Sequence, residues 1–343
     1  MPSLKKSNIR LFFTLIGILI FILYLIYTNP FKVLFELGRF DPYIFTLAVI
    51  LNYLGLFSLA ISWYIILRIL NIGISLWNTI QITFVSMFVV WIFPIPSGVE
   101  LIRAYLVRNK SGSNIGKAVS SVLLNKVYYF IAFGVLITLG GVMVTFIQGE
   151  SIPVDVRYVW FVVIYALTNT FLFFIILRPK TLLKIYHKSP YWVRRKIFNK
   201  IYGSQKELGG FEMFVKEVDN SIKELRKSTG LNLISLLFIA FHWSTGSITA
   251  FLVAISLGYH IDFWVIILIY AVIEFIQQLN ILIPSGLGIV DAGLTGALLL
   301  LGIPLSDASA ISLLTRLATY WFELVLCGLV AINYGYKEVL REL

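Results

Sequence analysis

Long apolar runs separated by short polar segments dominate the chain and predict membrane-spanning helices. An α-helix needs roughly 20 apolar residues to cross the hydrocarbon core of a bilayer, and most of the runs are at least about that long. We therefore predict an all-α, polytopic integral membrane protein with about six full spans. The predicted spans cover residues 11–27, 42–69, 118–147, 158–177, 231–257 and 305–333.

Two further apolar stretches are interrupted by the same four residues and predict re-entrant helical hairpins. Ile-Pro-Ser-Gly occurs at 95–98 and again at 283–286. Proline removes a backbone donor and glycine weakens a helix, so each copy should break a membrane helix midway. The first hairpin is predicted over 76–108, with a full span that places its cations outside as the alternative. The second combines the apolar run 263–283 with a short helix over 287–302.

The two interruptions belong to a longer internal similarity, which predicts an inverted repeat. Ala104 matches Ala292 at the spacing of the tetrapeptides, and residues 123–127 resemble residues 313–317. Three full spans are predicted between the hairpins, and because this number is odd, the hairpins should open to opposite sides of the membrane. This arrangement is typical of alternating-access transporters that bind substrate near the midplane, although chance similarity between apolar sequences remains the alternative.

We predict a single transmembrane domain over residues 1–343, with a first half at about 10–177 and a second half at 231–335. Between the halves, residues 178–230 are basic and carry apolar residues at helical spacing. Such a segment is expected to lie on the cytoplasmic face, against anionic lipid, with both chain termini on that side. The predicted location is the cell membrane.

Composition narrows the classes of function. The chain is 59% hydrophobic and 13% charged, and its formal net charge is +11. The charge would suggest nucleic acid in a soluble protein, but here it favours membrane lipids as partners and leaves a homo-oligomer open. The single cysteine, Cys327, and three scattered histidines offer no metal-ligand spacing. No catalytic constellation is found, so we expect neither a cofactor nor an enzyme.

Charged residues within the apolar runs are the candidate functional residues. A charge at the bilayer centre costs roughly 2.5–3.5 kcal/mol on insertion scales, so it should face a cavity or a partner. Arg and Lys side chains, and free N–H groups where broken helices start, would suit an anionic head group. The predicted substrate-binding residues are Arg316, Arg103, Lys126, Tyr320, Gly98, Gly286 and Gly288.

Four acidic residues, Glu100, Asp291, Glu274 and Glu323, complete the candidate set. They are expected to pair with the cations or to carry coupling protons. The alternative is that Glu100–Arg103 and Asp291–Arg316 only neutralise each other and hold the hairpin tips in place. His242, on an apolar span, is interpreted as a packing histidine.

At these residues the chain resembles the lysylphosphatidylglycerol synthase/flippase-like transmembrane family. The family often has an acidic-basic pair where this chain has Asn125-Lys126, and a glutamate where it has Asp291. The resemblance extends over about residues 10–335, and its second motif is the more specific. Residues that correspond to the family motifs are Pro96, Gly98, Glu100, Arg103, Pro284, Gly286, Leu287, Gly288, Asp291 and Arg316.

The resemblance implies a flippase-like module, without the soluble aminoacyl-transferase domain, that translocates an anionic lipid. A phospholipid or a polyprenyl-phosphate carrier would be moved by alternating access. One alternative is a membrane enzyme that modifies a lipid with Glu100, Glu274 or Asp291 as general base. The other is a scaffold for cell-envelope enzymes. A lipid-open groove containing Arg316 would favour the translocase, and a sealed, fully paired core would favour the scaffold.

Overall fold

The computed structural model describes residues 18–92, 98–147, 209–279 and 284–335, with isolated positions between 160 and 190. These ranges are almost entirely helical, which confirms the predicted class. The predicted span 158–177 lies largely outside the described residues. The helices are α1 (Ile18–Tyr27), α2 (Pro30–Leu37), α3 (Pro42–Ile69), α4 (Leu76–Ile92), α5 (Gly98–Ser111), α6 (Ile115–Ile147), α7 (Gly209–Lys227), α8 (Thr229–Ser256), α9 (Phe263–Leu279), α10 (Ile289–Leu300), α11 (Leu305–Arg316) and α12 (Phe322–Tyr334).

Four helical segments among the described residues are long and apolar enough to cross a membrane, and a fifth arises if α1 and α2 count as one span bent by 81°. The four are Pro42–Ile69, Ile115–Thr145, Thr229–Ser256 and Leu305–Tyr334. Local sequence explains the start of the first of them. Asp41 accepts hydrogen bonds from the N–H groups of Tyr43 and Ile44, and Pro42 occupies the first helical position. The predicted span 42–69 is confirmed.

The centre of the molecule is the antiparallel pair of α3 and α8, which contact each other along most of their length. Small residues allow the close approach: a Cβ added to Gly55 would lie 2.1 Å from Thr245 Oγ1. From one end of the pair to the other, contacts join Ser62 to Ser235, Gly55 to His242 and Ala48 to Thr249. The end of α3 therefore lies at the start of α8, and this pair defines the two ends of the molecule.

Helices α4 and α5 form the first hairpin. The Arg103 guanidinium donates to Ser86 Oγ over 3.3 Å, so the two helices double back on either side of residues 93–97, which lie outside the described residues. Val107 near the end of α5 belongs to the same core cluster as Leu67 and Leu70 at the end of α3. The hairpin therefore opens to that end, which we call the basic end after Arg68, Arg108, Lys110 and Lys117 on α3, α5 and α6.

Helices α9 and α10 form the second hairpin around the turn Pro284–Gly286. Ile273 and Leu294 share a core cluster with Ala48 at the start of α3 and with Val253 near the end of α8. This hairpin opens to the end opposite the basic end, as the inverted repeat predicts. Helices α11 and α12, joined by a π-helical turn at Leu317–Trp321, return to the basic end, where Lys110 Nζ lies 5.7 Å from the centre of the Tyr334 ring.

Helix α7 is amphipathic and packs against the start of α6. Val215, Val218 and Leu225 are buried, whereas Lys216 and Lys223 are exposed. A Cβ added to Gly116 of α6 would collide with the Glu217 carboxylate, so a larger residue at this position would force the Glu217 side chain to move. The prediction of a surface helix fits this part of the basic segment, and residues 191–208 lie outside the described residues.

Candidate functional site

The second break lies directly against the end of α4, the helix that precedes the first break. Ser285 Oγ donates to the Trp91 carbonyl over 3.3 Å, and the Ser285 carbonyl accepts a hydrogen bond from Arg316 Nη2. The Trp91 and Tyr320 rings are 6.0 Å apart in an edge-to-face arrangement. Ser285 has φ +51°, a left-handed conformation that costs a non-glycine residue roughly 1–2 kcal/mol. The structure thus places the turn of the second hairpin against the last residues of α4, the helix that leads into the first break.

An ion pair in the second half lies beside this junction. Asp291, with no exposed surface, is 3.8 Å from Arg316 Nε through Oδ1 and accepts from the Gly288 N–H over 2.9 Å through Oδ2. The Arg316 guanidinium lies 4.6 Å from the centre of the Tyr320 ring. Helix α10 begins at Ile289, so the predicted free N–H groups at Gly286–Leu287 do not start this helix. The carboxylate of Asp291 instead occupies the helix start.

Gly288 allows α1 to cross the second break. Its φ is +79°, and an added Cβ would lie 2.8 Å from the Phe21 backbone nitrogen. Further along α1, the Tyr24 hydroxyl is 2.9 Å from Thr295 Oγ1 of α10. The structure therefore places Gly288 against α1, where it serves packing, and shows no exposed surface there for a substrate.

The first half contains a second ion pair, between α5 and α6. Lys126 Nζ lies 2.8 Å from Glu100 Oε1 and 4.9 Å from the centre of the Tyr129 ring. The side chains of Lys126 and Glu100 are 33% and 21% exposed. In place of the contact with Arg103 that the sequence left open, the carboxylate of Glu100 forms its ion pair with Lys126 on the neighbouring helix, while the charge of Arg103 acts on it at longer range.

The side chains that contact Arg103 are neutral, and Glu100 acts on its charge only from outside ion-pair distance. Arg103 is 4% exposed and donates through Nε to Ser86 Oγ and through Nη1 to Asn125 Oδ1, over 3.3 and 3.4 Å. The guanidinium lies 5.2 Å from the centre of the Trp63 ring, and its Nη2 has no hydrogen-bond partner. Trp63 and Ser86 were not predicted as site residues, since tryptophan and serine are common on packed spans.

The two halves repeat one constellation: a carboxylate after the break, a cation on the next long helix and a tyrosine one turn further on. The halves differ in access. The carboxylate and cation of the second half are both buried, so Arg316 does not face a lipid-open groove in this conformation. Those of the first half are partly exposed. The equivalent sets are Glu100, Lys126 and Tyr129 in the first half, and Asp291, Arg316 and Tyr320 in the second.

The remaining candidates are less central. Glu323 is buried and accepts a hydrogen bond from Asn52 Nδ2, which also donates to the Ala318 carbonyl over 3.1 Å. Asn52 was missed, although a lone amide within an apolar span is a recognisable signal.

His242 Nδ1 lies 3.1 Å from the Gly55 carbonyl, as fits a packing histidine. The side chain of Glu274 and the surroundings of Gly98 lie outside the described residues, whereas Gly286 is buried.

Comparison with known proteins identifies relatives over most of the chain. The family model of the lysylphosphatidylglycerol synthase transmembrane region matches residues 14–327. A UPF0104 membrane protein of Pyrococcus horikoshii is 21% identical over 315 residues, covering 86% of this chain and 88% of the relative. Another, from Methanocaldococcus jannaschii, is 25% identical over 250 residues, which cover 71% of this chain and 92% of the relative. A third, from Methanothermobacter thermautotrophicus, is 20% identical over 340 residues, with coverages of 98% and 95%.

Proposed function

The chain belongs to the family of the lysylphosphatidylglycerol synthase transmembrane region, and from this membership we propose that it translocates an anionic lipid between membrane leaflets by alternating access. The substrate class is a lipid with a phosphoryl head group, either a phospholipid or a polyprenyl-phosphate carrier. The hairpin tips form the gated part of the path.

The contact between the second tip and the end of α4 carries this proposal. A path across the membrane needs a place that can close from either side, and broken helices that meet at the midplane provide one. Ser285 contacts Trp91 of the first hairpin and Arg316 of the second half. A rearrangement at this one residue would therefore alter the junction and the buried ion pair together.

The unequal access of the two ion pairs supports a single state of the transport cycle. In an inverted repeat, the two halves exchange conformations when the protein changes the side to which it opens. The partly exposed pair of Glu100 and Lys126 then belongs to the more open half, and the buried pair of Asp291 and Arg316 to the closed half. The opposite state would expose Arg316 to lipid.

Two other functions are separated from transport by their chemistry. An enzyme that modifies a lipid would need a carboxylate free to accept a proton, but Glu100 and Asp291 are both engaged by cations. A scaffold would keep the tips joined permanently. The scaffold is the stronger of the two, because buried pairs also serve a static core.

A reversible lock on the tips tests transport directly. In a Cys327→Ser background, Trp91→Cys and Ser285→Cys are joined by a short, reducible bis-methanethiosulfonate cross-linker. Proteoliposomes carry fluorescently labelled phosphatidylglycerol, and extraction by serum albumin, which leaves disulfides intact, reports the labelled lipid that reaches the outer leaflet. We expect cross-linking to abolish translocation and reductant to restore it.

Each single-cysteine variant, treated with the same reagent, is the matched control and should keep its translocation rate. Unchanged translocation in the locked protein would contradict a path through the tips. An absence of translocation in the unlocked and control proteins alike, with folding intact, would favour the scaffold.

A further inference from the structure

We propose that Asn125 determines the ligand charge accepted by the first half, because it leaves the buried Arg103 guanidinium without a carboxylate partner. The site formed by Arg103, Ser86, Asn125 and Trp63 then takes an anionic phosphoryl group. This inference rests on the proposed function for how the ligand arrives, but it concerns binding rather than translocation.

Arg103, Lys126 and Arg316, the three cations among the predicted substrate-binding residues, differ in how their charge is balanced. Lys126 lies against Glu100, and Arg316 lies against Asp291. Among the described residues, Arg103 forms no ion pair and the side chains that it contacts are neutral, although the charge of Glu100, which is engaged by Lys126, also acts on it from outside ion-pair distance. A buried charge without a partner is costly, so the surroundings of Arg103 favour binding of an anion.

The geometry leaves one position for that anion. Arg103 uses Nε for Ser86 and Nη1 for Asn125, and Nη2 is buried without a hydrogen-bond partner. The planar guanidinium matches the oxygens of a phosphoryl group, which accept two parallel hydrogen bonds. Nη2 and a shared Nη1 would supply them.

Asn125 is the contact of Arg103 whose charge can be changed with little change of shape. Its Oδ1 lies 3.4 Å from Arg103 Nη1, and its Nδ2 donates to Ser62 Oγ over 3.3 Å. Ser62 in turn lies 3.0 Å from Ser235 of α8 in the second half. A carboxylate at position 125 would stand at the same distance from the guanidinium and would neutralise it. The neutral amide holds Arg103 without removing its charge.

The source of the phosphoryl group is either a lipid or free phosphate. Purified full-length protein is titrated with dihexanoylphosphatidic acid, with dihexanoylphosphatidylcholine and with inorganic phosphate, and bound ligand is counted by native mass spectrometry. We expect phosphatidic acid to bind at least about tenfold more tightly than phosphatidylcholine, a difference equivalent to about 1.4 kcal/mol. Equal affinity for the two lipids would overturn the proposal.

Two substitutions of similar size separate charge from hydrogen bonding. Asn125→Asp should weaken phosphatidic acid binding at least tenfold, and Asn125→Leu should weaken it less, because leucine removes one hydrogen bond to Arg103 but adds no opposing charge. Asn125→Asp should have no further effect in an Arg103→Gln background, because no charge is left to neutralise. The thermal stability of the single variant Asn125→Asp should equal or exceed that of the unmodified protein, since the new carboxylate completes a buried ion pair with Arg103.

A loss of binding in Asn125→Leu as large as in Asn125→Asp would overturn the proposal, because the amide would then act by geometry alone. Ser86→Asp, which changes the other neutral contact of Arg103, replaces Asn125→Asp if that variant does not fold. Binding of inorganic phosphate but not of phosphatidic acid would support the anion site and count against lipid transport. Loss of translocation with this charge selectivity intact would count against the proposed function alone.

Discussion

At the scale of single residues, the membrane interior of this protein is organised by charges that neighbouring helices supply. Asp291 follows the second break, but its partner Arg316 comes from α11; Glu100 follows the first break, but its partner Lys126 comes from α6. Pairing across helices holds each broken segment to a continuous one. Removing one member of a buried pair leaves the other uncompensated, which typically costs about 3–5 kcal/mol.

The Asp291–Arg316 pair allows this cost to be measured. Asp291→Asn leaves Arg316 buried without a counter-charge, so we expect a destabilisation of about 3–5 kcal/mol. Thermal unfolding in detergent measures it. The double variant Asp291→Asn/Arg316→Gln should recover most of the loss, because no charge then remains buried. A double variant as unstable as the single one would show that the pair acts by hydrogen bonding rather than by charge.

The sequence predicted which residues are charged within the membrane, but not all of their partners. Glu100 and Arg103 lie on the same face of one helix, so spacing alone favours their pairing. Glu100 instead forms an ion pair with Lys126, because α6 packs beside α5. No local sequence pattern indicates that these two helices are neighbours. Trp63 and Ser86, which contact Arg103, carry no signal that distinguishes them from packing residues.

At the scale of elements, the junctions between helices decide the architecture more than the helices themselves. The start of α3 follows from Asp41 and Pro42, which can be read directly from the sequence. The start of α10 does not, because Gly288 is fixed by α1, which crosses it from the far end of the chain. Such a long-range contact depends on packing, which a motif cannot show.

Gly288→Ala tests this crossing. An added Cβ meets the backbone of α1, and the positive φ adds strain, so we expect a destabilisation of about 2–4 kcal/mol from both effects. Gly296→Ala is the matched control, since it lies in α10, the helix that follows Gly288, and its Cβ would meet nothing within 4 Å. Thermal unfolding should separate the two variants clearly. Equal stability would mean that α1 does not pack on the second break.

At the scale of the whole molecule, the two ends differ in charge. The basic end carries Arg68, Arg108 and the exposed lysines of α7, whereas the opposite end carries Asp41 and Asp262. Cytoplasmic loops are enriched in Lys and Arg. We therefore expect the basic end to face the cytoplasm.

Labelling with a membrane-impermeant maleimide tests this orientation. In a Cys327→Ser background, Lys32→Cys at the opposite end should react in intact cells. Lys227→Cys on α7 should react only after permeabilisation. Both positions are exposed, which makes them a matched pair. Reaction of Lys227→Cys in intact cells would reverse the assigned orientation, and with it the sidedness of the two hairpins.

The π turn between α11 and α12 has a mechanical consequence. It holds one residue more than an ordinary turn, and Asn52 donates to the carbonyl of Ala318 within it. If the π turn became an ordinary α-helical turn, α12 would rotate by about 100° about its own axis relative to α11. This is the angle that one residue spans in an α-helix. Glu323 would then leave Asn52 while Arg316 kept its place. A change in the π turn would therefore rotate α12 about its axis while α11 stayed in place.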